Sequence, residues 1–216
     1  MMARRWIGAA LAPLLLAGTL GGCASSKPAP ERYTLPAATL PQATMPEATL
    51  PETAQPGAAG AETRYQLQVA TPRLADYLDV EGIVMQIDDI TLVEARGHQW
   101  AEALGKQLQR GLRDRLAQRL PDTRVLLDGT APREAHALRL ALEIDRFQGR
   151  HDGRAIIGGR WRLHAADGSL LAMQSLELEN VLAADGYPAL VRALGRGWDS
   201  AADELAAAVR GTRRQE

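Results

Sequence analysis

Apolar and polar residues alternate most strictly over residues 137–144, where Leu138, Leu140, Leu142 and Ile144 fall on one side and Ala137, Arg139, Ala141 and Glu143 on the other. A period of two marks a strand with one buried face. Ile157, Gly159, Trp161 and Leu163 repeat the pattern against Ile156, Gly158, Arg160 and Arg162. Asp152-Gly153 lies between these two runs and Asp167-Gly168 follows the second. Asp-Gly pairs tolerate the positive φ that tight hairpins demand. A third run covers residues 170–182; its apolar phase switches between Met173 and Leu176, which predicts a bulge. The three runs predict an antiparallel meander. Shorter extended runs lie at 64–69, ended by Pro72, and at 123–127. Two more, 82–87 and 91–95, flank Asp88-Asp89 as a hairpin.

Two segments change to a helical period. From His98 to Leu120, residues Trp100, Leu104, Leu108, Leu112, Leu116 and Leu120 recur every fourth position, and Pro121 stops the run. Lys106, Arg110, Arg113 and Arg119 lie opposite, broken by Glu102 and Asp114, so a solvated face is expected there rather than one that binds anionic lipid. A second helix begins at Pro188, buries Leu190, Val191, Leu194, Trp198, Ala201, Leu205 and Val209, and ends at Gly211. The predicted fold class is α/β of the α+β type: a mixed, mainly antiparallel sheet with two long helices packed on one face.

The N-terminus follows different rules. Arg4 and Arg5 precede an uncharged apolar run from Ile7 to Leu20, and Gly21 and Gly22 lead to Cys23, the only cysteine. This is the order of a secretory signal, with an apolar stretch short of the roughly 20 residues a membrane span needs. One cysteine in an exported chain has no internal disulfide partner. Leu20-Gly21-Gly22-Cys23 resembles the bacterial lipobox, which makes Cys23 the expected lipidation site and first mature residue. Ala24 and Ser25 follow without an Asp at the second position, favouring the outer membrane and its periplasmic face.

Beyond Cys23 the composition turns to Pro, Ala, Thr and Glu, with Thr-Leu-Pro or Thr-Met-Pro recurring every five residues from Thr34 to Pro51. Proline at that spacing blocks helix and sheet alike. The expected organisation is a signal peptide over 1–22, a lipidated tether over 23–62, a single domain over 63–211 and a tail over 212–216.

Composition narrows the function classes. A hydrophobic fraction of 46% supports a core, while a formal net charge of -1 gives no electrostatic case for nucleic acid. His98, His136, His151 and His164 are scattered without companions at ligand spacing, so they are expected as surface or turn residues, with no metal and no cofactor. No nucleophile elbow, zincin helix or phosphate-binding loop occurs, and Gly158-Gly159 lies inside a strand, where close backbone packing explains it. Trp100, Trp161 and Trp198 fall on buried stripes. No catalytic residues and no enzymatic activity are expected. The candidate partner-binding residues are Gly149, Arg150, His151, Asp152 and Gly153, because turns present polar groups that core strands cannot. The competing reading is that Gly149, Asp152 and Gly153 only make the turn.

An ordered set of elements extends along most of the mature chain: Tyr33-Thr34-Leu35-Pro36, Pro72, Tyr77-Leu78, Gly82-Ile83-Val84, Trp100-Ala101 with Leu104, the stretch Phe147-Gln148-Gly149-Arg150-His151-Asp152-Gly153, Gly159, Trp161, Asp185-Gly186-Tyr187 and Trp198. In this order and spacing the chain resembles the PqiC-type auxiliary lipoproteins of ABC-type and MCE transport systems, also called YmbA. The resemblance implies an outer-membrane lipoprotein of a trans-envelope lipid-transport complex that maintains membrane integrity. It also implies an MCE-domain partner like PqiB, and a ring-like homo-oligomer. Two other functions stay open: a lipid-binding carrier, and an activator of a cell-wall synthase. Whether Tyr33 to Pro36 docks on the domain or belongs to the tether is open at this stage.

Overall fold

The computed structural model describes residues 29–38, 63–130 and 136–214. Its spine is the strand β7 (Leu138–Arg150), and the remaining elements are β1 (Glu31–Tyr33), β2 (Tyr65–Val69), β3 (Arg73–Leu74), β4 (Gly82–Gln86), β5 (Leu92–Trp100), α1 (Leu104–Arg119), β6 (Thr123–Leu127), β8 (Arg154–His164), β9 (Leu170–Val181) and α2 (Tyr187–Arg213). On one side of β7 lies the expected meander, with β8 antiparallel to β7 and β9 antiparallel to β8 along nearly their whole lengths. On the other side the sheet forks. Leu138 to Leu140 pair in parallel with β2, which carries β6; Glu143 and Ile144 pair with β3; Gly149 and Arg150 pair with β4, which carries β5 and then β1. The sheet is mixed, as expected, and its longest ladders are antiparallel.

Alternation of Leu138, Leu140, Leu142 and Ile144 seeds the core face. A register shift between Ile144 and Arg146 then changes the phase, so that Phe147 takes the next inward position. On β8 the inward side chains are Ala155, Ile157, Trp161 and Leu163. Both helices cover this face, with α1 against β2, β6 and α2, and α2 against β8 and β9. Trp198 centres the packing: its indole N–H donates to the Leu108 carbonyl at 3.2 Å, and Phe147 meets it edge-on at 6.1 Å between centroids. The opposite face is solvated and charged, with Glu143 serving Arg73, Arg160 and Arg162.

Several expectations need correction. The second helix does not end at Gly211: α2 runs on to Arg213 with Gly211 inside it. Residues 98–100 are strand, not helix: β5 runs on to Trp100 and the helix begins at Leu104. Trp100 fits the leucine stripe, but a parallel partner far earlier in the chain, β1, claims its backbone. The bulge of β9 sits at Leu171, between the pairs Leu163–Ala172 and His164–Leu170, and Met173 simply points outward, 55% exposed. Arg119 is not on a solvated face; its guanidinium lies between the helices and bonds Asp203.

Residues 31–36 are part of the folded body. β1 extends the sheet beside β5, the Leu35 amide donates to Gln107 Oε1 at 3.0 Å, and Arg115 donates to the Pro36 carbonyl at 2.9 Å. Pro36 packs against Gly195, where a Cβ would stand 2.8 Å from the proline ring. The pentapeptide units beyond residue 38 lie outside the described residues, as do the signal segment, Cys23 and the tail beyond 214.

Candidate partner-docking end

Parallel pairing of β4 with the last residues of β7 brings two hairpin tips together: the loop between β4 and β5, and the turn between β7 and β8 that the sequence singled out. Each tip is stiffened by its own chemistry. In the first, the Ile87 amide donates to the Thr91 carbonyl at 3.0 Å, and Asp88 Oδ1 accepts from the amides of Ile90 at 2.9 Å and Thr91 at 2.6 Å. An aspartate that accepts amide hydrogens at the start of a loop fixes its backbone. These bonds, Ile90's first, hold the Asp88 carboxyl below its usual range, with a smaller contribution from the neighbouring His151. The adjacent aspartates serve a turn, as the sequence predicted.

In the second tip the Gly153 amide closes on the Arg150 carbonyl at 3.1 Å, and Gly153 has φ of +76°, which favours glycine. The Arg150 guanidinium binds Asp152 at 2.8 Å and Glu179 of β9 at 3.0 Å, and Arg154 joins Glu179 at 2.8 Å. Arg150 is held charged by Asp152 first and Glu179 second. Asp152 and Glu179 are in turn held below their usual range, chiefly by Arg150. A bidentate guanidinium across two strands positions a turn well, although exposed pairs of this kind add little stability.

The five candidate residues therefore divide. Gly149 is buried, and a methyl group there would overlap Met85 and Leu190. Its role is packing. Gly153 makes the turn. Arg150 is engaged on its own sheet, while His151 and Asp152 stand exposed at the apex. What the sequence reading missed is the apolar company: Ile90 is 86% exposed, Ile87 52%, and Val181, paired with Arg154, 69%. A shallow apolar recess of about 130 Å³ lies nearby, lined by Met85, Leu182, Gly186, Tyr187 and Leu190.

Elsewhere, His98 is neither a surface nor a turn residue. It stacks on Tyr187 with centroids 3.9 Å apart, and its Nδ1 lies 3.0 Å from the Tyr33 hydroxyl, joining β1, β5 and α2. Burial, then the bond to Glu31, pushes the Tyr33 phenol up to about 12. Gly159 and Gly158 serve close packing as predicted: a Cβ on Gly159 would overlap the Glu143 carbonyl, and Gly158 lies under the Arg146 guanidinium. Among the described residues no group of three or more acidic, histidine or cysteine side chains could hold a metal, and no helix is long and apolar enough to cross a membrane.

Comparison with known proteins agrees with this architecture. The family described as the ABC-type transport auxiliary lipoprotein component matches residues 49–206. Over 139 residues the chain is 33% identical to the intermembrane transport lipoprotein PqiC of Escherichia coli strain K12, covering 64% of this chain and 70% of that one; the Shigella flexneri protein of the same name matches equally. A crystal structure described as that of an uncharacterized protein superposes with a TM-score of 0.67 at 26% identity, covering 84% of this chain and 99% of the other. A Xanthomonas campestris protein shares the fold, with a TM-score of 0.61 at 19% identity over 76% of this chain and 93% of its own.

Proposed function

This chain belongs to the family of ABC-type transport auxiliary lipoprotein components, and on that footing we propose that it is an outer-membrane-anchored periplasmic adaptor of an MCE/ABC-type trans-envelope lipid transport system. It is an intermembrane transport lipoprotein, and the finer reading makes it a binding protein rather than an enzyme. Acylated at Cys23, it holds a PqiB-like MCE partner at the periplasmic face of the outer membrane, as a homo-oligomer, and so supports membrane integrity.

One observation carries the reading: a pre-organised, solvent-exposed end in which Arg150, Asp152 and Glu179 fix a turn beside the stiff loop at Asp88. Preorganisation lowers the ordering cost that binding otherwise meets. The partner contact runs over the apex of that turn, centred on His151 and Asp152. A carrier that encloses lipid needs an apolar cavity of about 300 Å³ or more; the apolar recess at this end is smaller, and the larger hollows of the described residues are lined by charged side chains such as Arg110 and Asp114, or Arg139, Glu143 and Arg160.

A photo-crosslinker in place of His151, in cells with the transport operon intact, tests the proposal. A covalent adduct containing an MCE-domain protein is expected. Adducts with a peptidoglycan synthase, or none while the protein is anchored, would overturn it. Native mass spectrometry that finds phospholipid retained stoichiometrically by the domain would favour the carrier.

A further inference from the structure

We propose that the loop between β4 and β5 dips Ile87 and Ile90 into the lipid surface to which the chain is anchored, giving the domain a second membrane contact and a fixed orientation. The inference rests on the lipoprotein reading of Cys23 and goes beyond it, because an acylated terminus on its own does not say which side chains of the domain enter the bilayer.

Three observations on the fold converge. First, β1 runs parallel to β5 with Glu31 opposite His98, and β5 starts from this loop at Leu92. The chain upstream of Glu31 therefore leaves the body heading toward the Ile87–Ile90 end. Second, the reach is short. From Cys23 to Glu31 is eight peptide steps, at most about 28 Å of extended chain. Along β5 the ladder is irregular: Gln99 pairs with Gly82 and Leu92 with Gln86, so this stretch advances only by the rise of four residues of β4, about 13 Å, before the loop that carries Ile90. The opposite end is less accessible: β4 pairs Met85 with Gly149, which sets Gly82 and its partner Gln99 level with the region of Arg146. Leu138 then lies a further 26 Å or so away, with the Asp167-Gly168 turn at that same end. A terminus held in the bilayer brings the two-hairpin end to the surface.

Third, the loop is shaped for a fluid apolar phase. Ile90 projects 86% exposed from a backbone pinned by Asp88, and Ile87 is 52% exposed at the loop's other shoulder. Asp88 spends its carboxylate on the loop's own amides, so insertion does not strip it of partners. The loop carries Asp88 and Asp89 and no basic residue. Arg150 and Arg154 of the neighbouring turn are engaged by Asp152 and Glu179, so little attraction to anionic headgroups is left at this contact, and the matching surface is one rich in zwitterionic phosphatidylethanolamine, entered by apolar burial.

The acylated full-length protein reconstituted in phosphatidylethanolamine vesicles with minor phosphatidylglycerol provides the test. Cys23 has no free thiol once acylated, so Ile90→Cys introduces the one reactive thiol and takes a nitroxide selectively; Ser169→Cys does the same at the opposite end. Collision of the label with oxygen should exceed collision with a water-soluble nickel chelate at position 90, and the order should reverse at 169. Raising the phosphatidylglycerol fraction or the salt should leave the ratio at 90 unchanged. An acylated, vesicle-bound protein whose position 90 samples water as freely as 169 would overturn the inference alone. Immersion at 90 that appears only on adding a protein partner would do the same. A Cys23 without acyl chains, read by intact mass, would remove the lipoprotein reading and this one with it.

Discussion

Arg115 of α1, only 1% exposed, points its Nε at Asp199 of α2 across 2.8 Å. The same guanidinium donates to the Gly111 carbonyl in its own helix and to Pro36 in the N-terminal segment, so one charged group ties three parts of the chain. Burial pulls the guanidinium's pKa down, and Asp199 pulls it back. Removing one member of a buried pair leaves the other with an uncompensated charge. Arg115→Met should therefore cost about 3 kcal/mol, whereas Arg115→Met with Asp199→Leu should recover a substantial part. Urea denaturation of the three proteins checks the order.

The contact between Pro36 and Gly195 lies outside the sheet, and breaking it tests whether β1 holds on its own. Gly195→Val places branched atoms where the proline ring lies, and should detach residues 31–38 while the body stays folded. Trypsin cleavage after Arg32 should quicken by at least about tenfold, the factor that corresponds to some 1.4 kcal/mol of docking lost. Gly97→Ala, with nothing within 4 Å of the added methyl, is the control.

Gly159 tests the close packing of β8 on β7. Gly159→Ala drives a methyl into the Glu143 carbonyl, and since backbone cannot step aside the cost should be several kcal/mol, about 3 by the measure of overpacked cores. Gly211→Ala, in α2 with open space around it, should raise stability by about 0.5–1 kcal/mol through helix propensity. Thermal melts of both suffice.

Acid should loosen the carboxylate-pinned turns, those of the two-hairpin end among them, before the core strands. Asp88, Asp152 and Glu179 all have folded-state pKa values below their free values, so their stabilising contribution is complete above about pH 4–4.5 and fades as pH falls through the lowered values. Hydrogen exchange at the Ile90, Thr91 and Gly153 amides, corrected for intrinsic rates, should lose protection below about pH 4 while Leu140 and Ile157 keep theirs. Alkali works on β1 with the opposite sign. The fold favours the neutral Tyr33 phenol, so its contribution is present below about pH 10 and is lost as the pH climbs toward about 12.

Much of this fold was legible because it is local. The meander, the two Asp-Gly turns, the Asp88 hairpin and the core faces of both helices follow from period and turn chemistry within windows of some ten residues. Two of the misreadings, at residues 98–100 and at Arg119, share a cause: a partner elsewhere in the chain. Trp100 falls in phase with the leucine stripe, and what decides for strand is pairing on both sides, with β1 and with the Glu81–Gly82 end of β4. Arg119 reads as solvated charge because its partner Asp203 lies on another helix. At the candidate site the sequence located the turn, since Asp152-Gly153 announces itself. It did not locate Ile87 and Ile90, whose exposure depends on which strands flank their loop.

Because residues 31–36 are moored beside α1 and α2, the residues that border the remaining Thr-Leu-Pro units, 38 and 63, belong to one and the same folded body. On the proposed acylation at Cys23, gaining or losing such units would leave the spacing between body and bilayer unchanged, because that spacing is metered by the few residues ahead of Glu31.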